Sequence, residues 1–308
     1  MVAVVLSIQT SPDVVATDLT MKARSLLFVP GDRPERMEKA LNSGADAIIL
    51  DMEDAVAAAN KVYARRAIAD FLAHDIARPV DMIVRINPLD TNDCVKDIEI
   101  IRNDRVAAIM LPKSEGAASV VALLQMLQAS MMVLPIAAET PSSLFSLGSY
   151  VDVSRYLVGI TWGAEDLATA IGAASSRAGD GRFLSPLETA RNLTLFAARA
   201  ADTAAIETVY AKVRDLDGLS AAALRAAAEG FSGMMAIHPS QVSAINSAFS
   251  PTEAQIAEAR EIVALFNDRP KSGVIMRNGR MLDSPHLIHA RAVIARAEWI
   301  DRRMTVST

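Results

Sequence analysis

Cysteine is nearly absent from this chain: Cys94 is the one thiol in 308 residues. A lone thiol excludes an internal disulfide and suits a reducing compartment, so a cytoplasmic location is expected. Cys94 lies in a polar stretch of helical character, no Cys–His pair accompanies it, and it reads as incidental rather than nucleophilic. Aromatics are scarce too, at 5% against 51% hydrophobic residues, so the interior must be built mainly from Ala, Val, Ile and Leu. That composition suits helices packed closely over a Val/Ile-rich sheet. The net charge of −5 provides no broad basic field, which argues against duplex nucleic acid while leaving room for a local Arg/Lys cluster that holds phosphates. No apolar run reaches the roughly 18 residues a membrane helix needs, and the apolar opening at 1–8 lacks the basic leader of a signal peptide. The four histidines, His74, His238, His286 and His289, form no ligand cluster, so zinc is not expected and His238 reads as a hydrogen-bonded strand-end residue.

What the chain does contain is a regular alternation. Short apolar runs at 25–29, 47–50, 82–86, 107–111, 133–137, 156–161, 205–209 and 234–237 read as buried strands. Ala-rich helical stretches at 34–42, 62–73, 117–129, 187–201 and 220–228 lie between them. Eight such strands predict a closed TIM (β/α)8 barrel. An open doubly wound sheet is the alternative, but no Gly-x-Gly-x-x-Gly follows the first strand. Residues 1–22 read as an N-terminal extension, with Met21 an alternative start, 23–250 as the catalytic barrel, and 251–308 as a C-terminal helical lid and oligomerisation segment. In that segment helices are expected at 251–266 and 285–299, separated by a turn-rich stretch containing Pro270, Gly273 and Gly279.

The strand ends carry unusual polarity. Asp51, Glu53 and Asp54 follow the second strand, Arg85 and Asn87 the third, Lys113 the fourth and His238 the eighth; a barrel gathers these positions around one mouth. Glu139 and Asp166 each follow a short apolar run. Two carboxylates facing one pocket repel unless a cation or proton lies between them, and hard oxygen ligands point to Mg²⁺, with Mn²⁺ accepted by the same donors.

Seven segments in order, Arg24-Ser-Leu-Leu-Phe-Val-Pro-Gly31, Asp51-Met-Glu-Asp-Ala55, Arg85-Ile-Asn87, Leu111-Pro-Lys113, Glu139-Thr140, Trp162-Gly-Ala-Glu-Asp-Leu167 and Ile237-His-Pro-Ser-Gln241, resemble the citrate lyase beta-subunit-like branch of the HpcH/HpaI aldolase family. The likeness spans nearly everything after residue 22. Ser175-Ser-Arg177, Asp180-Gly181 and Gly279-Arg-Met-Leu-Asp-Ser-Pro285 further resemble its stand-alone members. The resemblance implies a TIM barrel that makes or breaks a carbon–carbon bond beside a thioester, usually of coenzyme A. It implies Mg²⁺ on Glu139 and Asp166, Arg85 gripping an oxo-acid carboxylate, and Asp283 as acid/base on a lid often lent to a neighbouring subunit, hence a trimer or hexamer. It also raises the weight of CoA contacts from Phe28, Arg33, Arg36 and Lys39, which charge alone would leave as solvated helix residues.

Asp51, Glu53, Asp54 and Lys113 are expected behind these groups, orienting Arg85 or metal-bound water. A Schiff base on Lys113 is the less favoured alternative, since an ion-paired lysine is a poor nucleophile. The leading reading is a Mg²⁺-dependent lyase for a malyl-, citramalyl-, citryl- or hydroxymethylglutaryl-type CoA thioester. A citrate lyase beta subunit acting on a carrier protein, and a noncatalytic CoA-ester-binding scaffold, are the alternatives.

Overall fold

The computed structural model describes residues 21–74, 80–270 and 273–306; of the extension expected over 1–22, residues 1–20 lie outside them, and Met21 is buried in the barrel core. Eight parallel strands, β1 (Ser25–Pro30), β2 (Ala47–Asp51), β3 (Asp81–Arg85), β4 (Val106–Leu111), β5 (Val133–Pro135), β6 (Gly159–Ile160), β7 (Ala204–Glu207) and β8 (Gly233–Ala236), run in the order β5-β4-β3-β2-β1-β8-β7-β6. Parallel bridges Val133↔Leu157 and Ile136↔Thr161 join β5 to β6 and close the barrel. Each predicted strand overlaps an observed one, the sixth least: of 156–161 only Gly159–Ile160 form β6, and Tyr156 ends a 3₁₀ segment. Around them lie α1 (Pro34–Ala40), α2 (Lys61–Ala73), α3 (Asn92–Ile98), α4 (Ala117–Leu127), α5 (Ala164–Ala170), α6 (Ser185–Ala200), α7 (Leu216–Glu229) and α8 (Val242–Ala248). After β5 the chain forms 3₁₀ turns, Ser142–Phe145 and Leu147–Tyr156, in place of a regular helix.

The pleat sorts each strand between two cores. Leu26, Ile49, Ile83, Met110, Leu134, Ile206 and Met235 fill the barrel. Their neighbours Leu27, Ile48, Val84, Ile109, Ala205 and Met234 pack outward under the helices. Because side chains alternate with period two, Asp51 and Arg85 inherit the inward facing at the mouth, whereas Glu207 at the end of β7 inherits the outward one. Cys94 is fully buried in the outer core, and burial pushes its thiol up to about 11.

The C-terminal segment forms α9 (Glu253–Asp268), β9 (Val274–Arg277), β10 (Arg280–Asp283) and α10 (Ser284–Val306). The stretch read from sequence as turn-rich is thus an antiparallel hairpin, with Asn278 and Gly279 at positive φ in its turn. Ala259, Ile262, Phe266, Ile275, Leu282 and Ala290 give this module a small core of its own. Arg296 and Arg303 root α10 on the far end of the barrel from the mouth: Arg296 donates to the carbonyls of Lys22 and Ser232, and Arg303 pairs with Asp46 and Asp81. Among the described residues no helix is long and apolar enough to cross a membrane.

Candidate active site

A cavity of about 560 Å³ opens at the carboxyl ends of the strands, lined in part by Phe28, Arg36, Lys39, Arg85, Glu139, Trp162, Asp166 and His238. Its β2–β4 side is a closed ion network. Asp51 and Arg85 are register partners on β2 and β3, so their side chains meet: Arg85 Nε donates to Asp51 Oδ1 at 2.7 Å and Nη2 to Oδ2 at 2.6 Å. The same carboxylate caps the following loop by accepting the Glu53 and Ala55 amides. Glu53 bridges two cations, with Arg85 Nη1 2.8 Å from Oε2 and Lys113 Nζ 2.7 Å from Oε1. Burial pulls on Arg85, but Asp51 and Glu53 outweigh it and hold the guanidinium above its ordinary range. For Glu53 burial dominates and raises the carboxyl despite Arg85 and Lys113. Lys113 is likewise held above its ordinary value by Glu53 against burial, a protonated state that disfavours the imine reading.

A layer that the sequence reading did not assign supports this side. Lys61 Nζ donates to the carbonyls of Met52 and Glu53 and to Asn87 Oδ1, at 2.7–2.8 Å. Asn87 and Arg65 both bond Asp97, which is completely buried. Nothing in the spacing of Lys61 or Asp97 distinguishes them from the usual charges of surface helices.

The opposite side has no such balance. Glu139 is 4% exposed, and its one described hydrogen bond is from the Lys113 amide to Oε2, at 2.6 Å. Lys113 adopts φ +49° there. Burial above all, with the charges of Glu53 and Asp166, pushes the Glu139 carboxyl up to about 8. Asp166, in the first turn of α5, also lines the cavity. Gly163 makes room for this arrangement: a Cβ there would fall 2.6 Å from Glu139 Cγ and 2.7 Å from Oε1. Among the described residues no three His, Cys, Asp or Glu side chains converge as a ready metal cage. A two-carboxylate site that leaves room for water and substrate oxygens fits Mg²⁺ or Mn²⁺, and a buried carboxylate short of positive charge fits a cation.

Of the residues expected to meet CoA, Phe28, Arg36 and Lys39 line the cavity, the last two three residues apart on one face of α1. Phe28 also lies under Arg85, whose Cζ is 4.8 Å from the ring centroid. Arg33 is not in the lining; it is half exposed, with Nε 4.0 Å from Asp32. Asp54 is exposed, in contrast to its buried neighbours Asp51 and Glu53. His238 Nδ1 accepts the Ser240 amide, the strand-end role expected of it. Asp283 does not line the cavity of its own chain. It sits at the end of β10, with Oδ1 2.5 Å from His286 Nδ1.

The fold and mouth define a TIM-barrel carbon–carbon bond lyase, and a family described as the C-C bond lyases of the TIM-barrel fold matches residues 189–301. The chain belongs to the HpcH/HpaI aldolase/citrate lyase family, whose sequence model matches residues 24–239. It is 36% identical over 282 residues to a citrate lyase subunit beta-like protein of Mycobacterium tuberculosis, covering 88% of this chain and 94% of that one. It is 34% identical to a (3S)-malyl-CoA thioesterase of Cereibacter sphaeroides, over 90% of this chain and 95% of the other. Among solved structures, the CitE protein of Mycobacterium tuberculosis in complex with magnesium, acetoacetate and coenzyme A superposes with a TM-score of 0.77 at 36% identity, over 89% of this chain and 98% of that one.

Proposed function

We propose that this protein cleaves a 3-hydroxyacyl-CoA thioester of the malyl, citramalyl, citryl or hydroxymethylglutaryl type into an acyl-CoA and an oxo acid, using Mg²⁺ held by Glu139 and Asp166. The observation that carries the reading is the divided mouth: a buried Arg85 ion-paired to Asp51 and Glu53 on one side and, on the other, two carboxylates with no ion pair among the described residues. Complexes of the similar CitE protein with magnesium and coenzyme A support it.

Bound there, the metal would polarise the carbonyl that forms as the bond breaks. Arg85, locked by Asp51, presents a fixed guanidinium to the oxo-acid carboxylate, the planar pairing at which Arg excels. Phe28 gives the thioester arm an apolar wall, and Arg36 and Lys39 place positive charge where CoA phosphates would lie. A base must take the 3-hydroxyl proton. The bond between the carbinol carbon and the thioester α-carbon then breaks, its electron pair moves to the α-carbon, and a proton returns there.

Asp283 is our choice for that base, supplied by a second copy of the chain. Two observations support a shared site: Asp283 is absent from its own cavity, and its hairpin exposes Val274, Met276 and Met281 together with Ile288 of α10. A homo-oligomer, trimeric or hexameric, in the cytoplasm is the assembly that follows. Mass-spectrometric assay of malyl-, citramalyl-, hydroxymethylglutaryl- and citryl-CoA with Mg²⁺ or EDTA tests the whole reading. Metal-dependent release of a matched acyl-CoA and oxo acid is expected, lost in Glu139→Ala and Asp166→Ala. Free CoA in the products would reveal thioester hydrolysis, the activity named for the Cereibacter relative. A folded, Mg²⁺-loaded protein that leaves every ester intact would refute the proposal.

A further inference from the structure

A second cavity, of about 200 Å³, lies outside the barrel wall beside the end of β7, lined by Arg177, Arg182, Arg191, Arg225, Asp180 and Glu207 among others. Four guanidinium groups face it against two carboxylates. Most of that charge is already answered. Arg191 binds Glu207 and Glu229 at 2.5 Å each, Arg225 binds Glu188 and Glu229, and Arg182 is 80% exposed near Asp180. Arg177 is the exception: the one described hydrogen bond of its guanidinium goes to a neutral carbonyl, that of Gly181, and no described carboxylate lies within ion-pair distance. Its guanidinium stacks on Phe183 with Cζ 3.6 Å from the ring centroid, and the Tyr210 ring lies 5.3 Å away. Burial pulls Arg177 below the ordinary guanidinium range, and the more distant charges of Glu207 and Glu165 do not offset that loss of water.

The backbone fixes this placement. Residues 176–184 form a tight hairpin in which Ala178 N–H bonds the Arg182 carbonyl, Leu184 N–H bonds the Ser176 carbonyl and Gly181 turns at φ +85°. Ser176 Oγ ties the hairpin to Glu165. We propose that this cavity is an anion site, separate from the reaction cavity, in which the Arg177 guanidinium binds a small oxyanion, a carboxylate or a phosphate. The planar fork supplies two parallel donors, the aromatic faces hold it flat, and the volume admits a ligand of only a few heavy atoms. The site is not isolated from the chemistry. Glu207 accepts from Trp162 Nε1 at 2.8 Å, Trp162 packs edge-on to Phe183, and Trp162 also lines the reaction cavity. This proposal does not depend on the activity proposed above.

Calorimetric titration of the full chain with Mg²⁺ present, using inorganic phosphate in one arm and succinate in the other, tests it. One saturable site is expected for at least one anion, and the tighter arm identifies phosphate or carboxylate as the ligand class. Arg177→Gln should weaken that binding at least about tenfold, the loss of a charge-assisted pair, while Arg85→Gln in the reaction cavity leaves it intact. Ala222→Met on α7, which fills the cavity without touching any charge, should abolish it as well. Failure of both anions to saturate, wild-type affinity in Arg177→Gln or Ala222→Met, or loss confined to Arg85→Gln would overturn the proposal.

Discussion

The two sides of the barrel mouth are made of the same residue types and solve opposite problems. Around Arg85 every buried charge meets its opposite within the chain, through Asp51, Glu53 and Lys113. Around Glu139 the buried carboxylate receives one described amide hydrogen bond, and the nearby charges of Glu53 and Asp166 outweigh that of Lys113. The first side is preorganised and costs little to keep in one geometry; the second crowds carboxylates in a way that the proposed cation would relieve. In the proposed reading, the group that must stay still is paired internally, and those that must capture a cation are left short of a partner.

The largest effect should come from opening the balanced side. Arg85→Lys keeps the charge but cannot span both Asp51 oxygens, so two charge-assisted bonds worth together about 3–6 kcal/mol weaken or vanish. A fall in kcat/KM of about 10²–10⁴ is expected, and retention of wild-type kinetics would show that the fork is dispensable.

Next in size, Gly163→Ala inserts a methyl against Glu139 and should weaken metal binding about 10–100-fold while global stability changes little, measured by calorimetric Mn²⁺ or Mg²⁺ titration beside thermal unfolding. Equal metal affinity in the variant would mean that Glu139 does not hold the ion.

The unbalanced side also predicts a pH signature. Glu139 has a folded-state carboxyl near 8, raised above its unfolded value, so the metal-free protein gains stability from it at acid pH and loses that gain as pH rises from about 4.5 through about 8. The metal needs the carboxylate form; its affinity should therefore climb with pH until about 8 and then level, with a proton released on binding below that point. Glu139→Gln should flatten the stability slope. An unchanged slope would locate the titration elsewhere.

The smallest effect is expected at Lys113, which is 38% exposed and held protonated by Glu53. Lys113→Arg should retain activity within about tenfold, because a charge partner is replaceable whereas an imine-forming amine is not. Loss of all turnover, together with a borohydride-trapped adduct in the wild type, would restore the imine mechanism.

How much of this was legible beforehand follows the same division. The eight strands could be read because each is a short apolar run, several of them ending in charge, and the pleat then fixes which of those charges face inward. Asp51 behind Arg85 was readable for the same reason. The β9–β10 hairpin was not: its strands are four residues long, lie partly exposed around Asn278-Gly279, and so look like a loop in the pattern. Lys61, Asp97 and the Trp162–Glu207–Arg191 chain escaped because buried polar partners far apart in sequence leave no periodic mark. Asp283 came from resemblance alone, and its place beside His286, away from its own cavity, is a fact only the fold supplies.

One modest feature has a practical use. The sole thiol is fully buried against the outer core and its pKa is pushed up to about 11, so it is nearly inert to alkylating dyes near neutral pH. A cysteine introduced at exposed Met281, two residues before Asp283, would then be the one readily labelled atom in the protein. A fluorophore there would report directly, in solution and during turnover, where the hairpin goes when substrate arrives.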